Sequence, residues 1–289
     1  MQSQVLTIKG KKMVKKNIFS LLLLTGLTAG CSTATVKPAD NANIANKSIG
    51  SVQGDTVQNV VTDEKNAEQR ATAIEAMNIM SEYLRSLKKF TVNADLSFDE
   101  VLPNEQKVLL NKTVEIRADM PSNLWAKAAD KYTQREFFFN GQTFTLYTEN
   151  LGFYASTPVS GTIGQTVIKV NQKYDIDVPL VDLFLWGTAA DSSMDVDEAI
   201  IVGVDKVNGV ECNHFAFREK EIDWQICIQR DNTPLPLKFV VTDKNIKGQP
   251  QIIYVLKWDT APDLSNQNYT FTPQSGDHKI SFGKVLTEK

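Results

Sequence analysis

The sequence of 289 residues predicts an α+β fold in which a strongly curved antiparallel sheet, an incomplete barrel, wraps around helices. Three observations predict it. One amphipathic helical stretch leads the folded region, about ten strand-like runs follow, and a single apolar helical insert interrupts those strands. A closed sandwich would give the insert no place.

The chain divides into three parts: 1–30, 31–62 and 63–289. Lys15 and Lys16 form a positive start, the run from Ile18 to Leu27 is apolar, and Thr28, Ala29 and Gly30 lead into Cys31. The pattern LTAGC has the form of a lipobox, in which small residues fit a narrow peptidase pocket and the thiol takes a diacylglycerol. The apolar run is too short for a transmembrane helix, which needs roughly 20 residues. A lipoprotein signal peptide over 1–30 and lipid attachment at Cys31 are therefore expected, with Met13 an alternative start. Ser32 is the residue type that permits sorting to the outer membrane, so anchoring to its periplasmic face is expected, ahead of the inner membrane. From Ser32 to Thr62 no aromatic residue occurs, and Thr, Asn, Ala, Lys, Ser, Gly and Gln dominate. Such a stretch buries too little apolar surface to offset the entropy of ordering and reads as a tether reaching on the order of 30 Å.

Residues 63–87 place Ala73, Met77, Met80, Leu84 and Leu87 at three- and four-residue steps, the period of an amphipathic helix. From Phe90 the period becomes two: Phe90, Val92, Ala94, Leu96 and Phe98 alternate with polar residues, the pattern of a half-buried strand. Further strand-like runs occupy 106–118, 123–129, 133–139, 142–148 and 151–156. If Asn140 and Gly141 form a two-residue turn, Phe139 pairs with Gln142, Phe137 with Phe144 and Arg135 with Leu146. One face of that hairpin is then mostly aromatic, while the other holds Glu136, Phe138, Thr143, Thr145 and Tyr147.

A helical insert follows, over 164–174 and 178–186. Its second piece, VPLVDLFLWG, is apolar almost all round and must be buried or cover an apolar surface. Strands are expected near 199–206, 235–243, 250–258 and 279–285, and a second hairpin spans 210–229. With a turn at 218–221, Phe217 pairs with Ile222, Phe215 with Trp224, and Cys212 lies opposite Cys227 on a polar face with His214, Asp223 and Gln225. In an oxidising compartment these cysteines are expected to form a disulfide. The alternatives are reduced thiols or, with His214, three metal ligands on one face.

An overall 42% apolar and 22% charged residues is ordinary globular composition, and a net charge of −3 leaves no basic footprint for nucleic acid. His214 and His278 are the only histidines, and no HExxH spacing, GxSxG elbow or Gly-rich phosphate loop occurs. Asp99-Glu100 and Asp195-Asp197 lie in turn-like stretches and read as solvated charge. Neither an enzymatic role, a metal nor a cofactor is expected.

Several segments together carry a resemblance: MNIMSEYLRSLKKFTVNAD, REFFFNGQTFTLYTENLGFYA, YDIDVPLVDLFLWG, VNGVECNHFAF, DWQICI and TPLPLKFVVT. Over about 70–285 the chain resembles a family of predicted periplasmic proteins of unknown function, itself similar to the LolA/LolB and RseB superfamily. That resemblance implies a LolA-like half-barrel with an apolar cavity on its concave face, serving a carrier or sensor of acyl chains. The candidate cavity or lid residues are Leu180, Leu183, Phe184, Trp186, Trp125, Phe137, Phe139 and Phe144. The partners expected are the membrane through the N-terminal lipid and an acyl chain or lipoprotein ligand. As an alternative, an envelope protein could bind through an exposed sheet edge.

Overall fold

The computed structural model describes the backbone of residues 55–283 and side chains from residue 64 onward. The signal peptide, Cys31 and residues 31–54 of the expected tether lie outside the described residues. Helix α1 (Asp55–Ser86) is followed by β1 (Lys89–Val101), β2 (Lys107–Asp119), β3 (Asn123–Ala129), β4 (Gln134–Asn140), β5 (Thr143–Thr148) and β6 (Phe153–Pro158). Helix α2 (Ile163–Tyr174) and a short 3-10 turn (Val181–Phe184) come next. The remaining strands are β7 (Glu198–Val207), β8 (Val210–Arg218), β9 (Ile222–Gln229), β10 (Pro236–Asp243), β11 (Gln251–Asp259) and β12 (His278–Ile280). Helix α1 thus begins at Asp55, inside the stretch whose composition reads as tether.

Among the described residues, twelve strands form one open sheet in the order β12-β6-β5-β4-β3-β2-β1-β11-β10-β9-β8-β7. Every pairing is antiparallel except β12 with β6. Laid flat, twelve strands would span roughly 50 Å. Instead the inward residues of β4 and β5 join those of β8 and β9 in one core that also takes in both helices and the insert. The α+β half-barrel is the observed architecture, and each of its strands falls on one of the strand-like runs of the sequence.

On the concave side, α1 buries Ala73, Met77, Met80 and Leu84, the helical stripe read from the sequence. It lies against β7, and Arg70 donates to the carbonyl of Val196, just before that strand. The insert occupies the middle, with Phe184 stacked on Phe90 of β1 and Trp186 edge-on to Phe239 of β10. Helix α2 covers the β5–β6 side. Thr162 and Gln165 close a capping box at its start, and Asp175, in the left-handed region at φ 57°, ends it.

Both hairpins keep the expected faces but shift register by two residues. In the first, Asn140 Oδ1 accepts from the main-chain N–H groups of Gln142 and Thr143. Asn140 therefore stays in the strand, and the turn moves to Gly141 and Gln142, with Gly141 at φ 84°. Phe139 pairs with Phe144, Phe137 with Leu146 and Arg135 with Thr148. In the second, the turn is Lys220 and Glu221, because Arg218 and Lys244 both pair with Asp223 and hold Arg218 opposite it. Phe217 now faces Trp224, ring on ring at 3.9 Å.

Cys227 lies opposite His214, leaving Cys212 diagonal to it, yet the two cysteines form the disulfide, with Cα atoms 5.4 Å apart. His214, Gln225 and Asp223 share their face, as expected, and toward the turn it is polar. The cysteines themselves are buried in a small second core with Val207 and Leu237. The disulfide also removes the thiolates that the metal-ligand alternative needed, and His214 Nε2 instead meets Gln225 Oε1 at 3.1 Å.

The outer face of β4–β6 is covered by the chain after β11. Phe271 packs on Phe138, Tyr147 and Tyr154 with ring centroids 4.7 to 5.4 Å apart. Tyr147 Oη donates to Asp277 Oδ1 and Asn140 Nδ2 to Thr270 Oγ1, fixing this strap. This explains the aromatic residues among the polar ones on that face. Beyond β12 the chain turns inward, and Phe282 packs against Phe144 and Tyr174.

Candidate ligand site beneath the insert

Seven of the eight residues proposed from the sequence as cavity or lid converge. Leu180, Leu183, Phe184 and Trp186 of the insert and Phe137, Phe139 and Phe144 of the sheet belong to one buried core. Trp125 does not. It pairs with Phe138, and its outward ring lies under the Arg117 guanidinium while its Nε1 donates to Glu136. The inward residues of β3 are Leu124 and Ala126, and the small Ala126, facing Phe137 across the ladder, leaves room for that ring.

The 178–186 segment is not the helix its apolar run suggests. Leu180 adopts the left-handed region at φ 55°, which breaks helical propagation after Pro179 and leaves only the single 3-10 turn. Its main-chain hydrogen bonds are local: Leu183 and Leu185 donate to Leu180 and Asp182, and Trp186 to Asp182. Among the described residues, no main-chain bond joins 177–186 to the sheet. The insert is instead seated by apolar contact and a few side-chain bonds, Asn171 to Asp177 at 2.7 Å and Arg85 to the Trp186 carbonyl at 3.4 Å. Gly164 of α2 permits close approach, since a Cβ there would lie 2.8 Å from the Phe184 carbonyl oxygen.

One polar group is sealed beneath this plug. Asp182 is 6% exposed, and its Oδ1 has no hydrogen-bond partner. Burial pushes its carboxyl up to about 8, and the charge of Asp191 adds to the rise. Tyr254, inward on β11 and stacked on Phe239, has its hydroxyl pushed up by burial and by the charges of Asp182 and Asp177.

Where the insert meets one end of the half-barrel, a cavity of about 30 Å³ opens. Its apolar wall is Leu96, Val114, Ala128, Phe137, Pro179 and Tyr254, and its polar rim is Lys112, Asp130, Thr133, Arg135 and Asp177. A separate groove of about 240 Å³ runs between α2 and the insert, past Val167, Val181 and Leu185. The insert side chains thus nearly fill the concave face. Sequence reasoning missed the rim and Asp182, although both left a trace: Arg135 falls on the aromatic face of the first hairpin, and Asp182 is the one charge within VPLVDLFLWG.

Among curated proteins none matches this sequence. The solved structures to which this chain is similar include these three. The lipoprotein LppX of Mycobacterium tuberculosis is 10% identical, with 67% of this chain and 98% of that one covered and a TM-score of 0.41. An uncharacterized conserved protein of Thermus thermophilus is 10% identical, with 73% and 99% covered and a TM-score of 0.39. A LolA superfamily protein of Nitrosomonas europaea is 9% identical, with 69% and 97% covered and a TM-score of 0.35. Likeness at this level does not speak to what the chain does, which is read from its own residues. The family is decided by sequence: matched by its model over residues 73–283, this chain belongs to the family described as predicted periplasmic protein (DUF2092).

Proposed function

We propose that this chain is an exported lipoprotein, anchored through Cys31 to the periplasmic face of the outer membrane, whose half-barrel binds an acyl chain or similar apolar ligand. Its role is to hold and carry that ligand, not to transform it. The observation that supports this most is the insert: an apolar plug that, among the described residues, makes no main-chain bond to the sheet beneath it and carries a buried carboxyl whose Oδ1 has no partner. A plug held in this way can lift as one piece. An acyl chain entering in its place would re-cover Phe90, Phe137 and Phe239, each buried methylene contributing about 0.8 kcal/mol. Affinity would then grow with chain length.

Native mass spectrometry with lipid extraction, on the detergent-free chain from Ser32 onward, tests this reading. Co-purifying lipid, or stoichiometric uptake of added dodecanol, is the expected result. Leu183→Ala removes part of the plug and should increase uptake; it is a cavity-forming change costing about 2–5 kcal/mol, so the fold is checked by circular dichroism. A bare mass with no uptake by either protein would remove the carrier reading.

A second reading rests on a different observation. Strand β7 ends the sheet, and Ile200, Ile201, Val202 and Val204 along it are 42 to 58% exposed. Gln69 Oε1 accepts from the Ile201 N–H and a bulge interrupts the pairing near Gly203, devices that partly shield an edge. The remaining β-branched run suits an extended segment of an envelope protein added as a thirteenth strand.

A further inference from the structure

We propose that the rim of the cavity is a headgroup site, and that the ligand is a long-chain monocarboxylate whose carboxylate is held by Arg135. This rests on the carrier reading above and names its ligand class. The inward faces of the strands carry two rows toward this end of the half-barrel. One row runs Tyr254, Leu96, Lys112 across β11, β1 and β2; the next runs Val114, Ala128, Arg135 across β2, β3 and β4. Two cations therefore stand at the edge of an otherwise apolar concave face, with Phe137 one inward position deeper on β4.

The two cations are not equivalent. Lys112 Nζ lies 3.3 Å from Asp130 Oδ2 and 5.0 Å from the Phe98 ring centre, so its charge is already answered. Asp130 is itself committed, its Oδ1 accepting from the main-chain N–H groups of Tyr132 and Thr133. Asp177 accepts from Asn171 Nδ2. Arg135, among the described residues, makes no side-chain hydrogen bond or ion pair, although it lines the cavity beside Phe137.

A planar guanidinium with free N–H groups at the mouth of an apolar slot is complementary to a planar carboxylate at the end of an alkyl chain. Asp177 on the same rim opposes more than one added negative charge, which favours a monocarboxylate over a phosphate dianion. Ala128 stands next to Arg135 in its row, so no large side chain from β3 covers the guanidinium. The tail would run inward past Leu96, Phe137 and Tyr254 under Pro179.

Binding of dodecanoate and of dodecanol, equal in chain length and different in charge, is measured by titration calorimetry on the chain from Ser32 onward. The wild type should prefer dodecanoate. Arg135→Ala should weaken dodecanoate about tenfold or more while leaving dodecanol unchanged, the loss expected for one charge-assisted contact. Arg135→Lys should recover part of it. Equal binding of both compounds, with Arg135→Ala without effect, would overturn the headgroup site while leaving the carrier reading intact. Failure of both compounds to bind, with no uptake from phosphatidylglycerol vesicles either, would overturn the carrier reading itself, and this proposal with it. Uptake from phosphatidylglycerol vesicles without dodecanoate binding would overturn the monocarboxylate assignment.

Discussion

Replacing Asp182 by asparagine should remove a pH dependence that the wild-type fold carries. An unperturbed aspartate titrates near 3.9, whereas burial with an unpartnered Oδ1 raises this carboxyl to about 8. Between those values the folded state holds a proton that the unfolded chain releases, so stability falls as pH rises and levels off above about 8. At 1.36 kcal/mol per pH step, the two steps from pH 5 to pH 7 amount to a loss of roughly 3 kcal/mol, and the cumulative cost at pH 7 is roughly 4 kcal/mol. Asp130 and Asp223, whose pKa values are lowered, act with the opposite sign and only in more acidic solution, as pH falls below the ordinary carboxylate range. They leave this window clear. Asp182→Asn cannot ionise, but its amide hydrogens need partners in the same dry site, which offsets roughly 1–3 kcal/mol of the gain. The variant should therefore equal or exceed the wild type by up to a few kcal/mol at pH 7, with a flat profile. Urea unfolding midpoints at pH 5, 6, 7 and 8 measure both. A wild-type profile without slope, or a variant with the same slope, would refute the reasoning.

Two further outcomes follow from other parts of the fold. Cys212 and Cys227 are 15 residues apart, and closing a loop of that length in the unfolded chain is worth about 3 kcal/mol, so Cys212→Ala with Cys227→Ala should lower unfolding stability by about 2–3 kcal/mol. The wild type in reductant should lose a similar amount, and an unchanged urea midpoint in both cases would contradict it. On the β7 edge, a photocrosslinker at Ile200 should capture a single defined envelope protein, and Val202→Lys with Val204→Lys should abolish the capture with stability within about 0.5 kcal/mol of wild type, as expected of exposed positions. Capture that survives both lysines would remove the edge-pairing reading.

Much of this architecture is written locally in the chain. The stripe Ala73, Met77, Met80, Leu84 has helical period and is buried as one face of α1, and Phe90, Val92, Ala94 and Leu96 have period two and all point inward from β1. In both hairpins the faces survived a register shift because the shift was of two residues, and only a shift of one changes which side a residue faces. The cysteine pair was legible for the same reason: diagonal neighbours on one face are close enough to bond. Local pattern could not choose the turn itself, since that depended on Asn140 capping its own backbone and on Lys244, from beyond β10, meeting Asp223.

What only the tertiary structure decided is the joining of distant segments. The insert has the composition of a helix but not its conformation, because its side chains gain more from filling the concave face than its backbone would from helical bonds. The bulk of Trp125 suggested core, yet the β3–β4 pairing turned it outward and gave the inward place to Ala126. Lys112 and Arg135 lie on separate strands with β3 between them, and Asp177 on neither; nothing in their spacing along the chain brings them to one rim. Period and parity are local properties, whereas a site is a meeting of segments, and that meeting is set by the order in which the sheet is laid down.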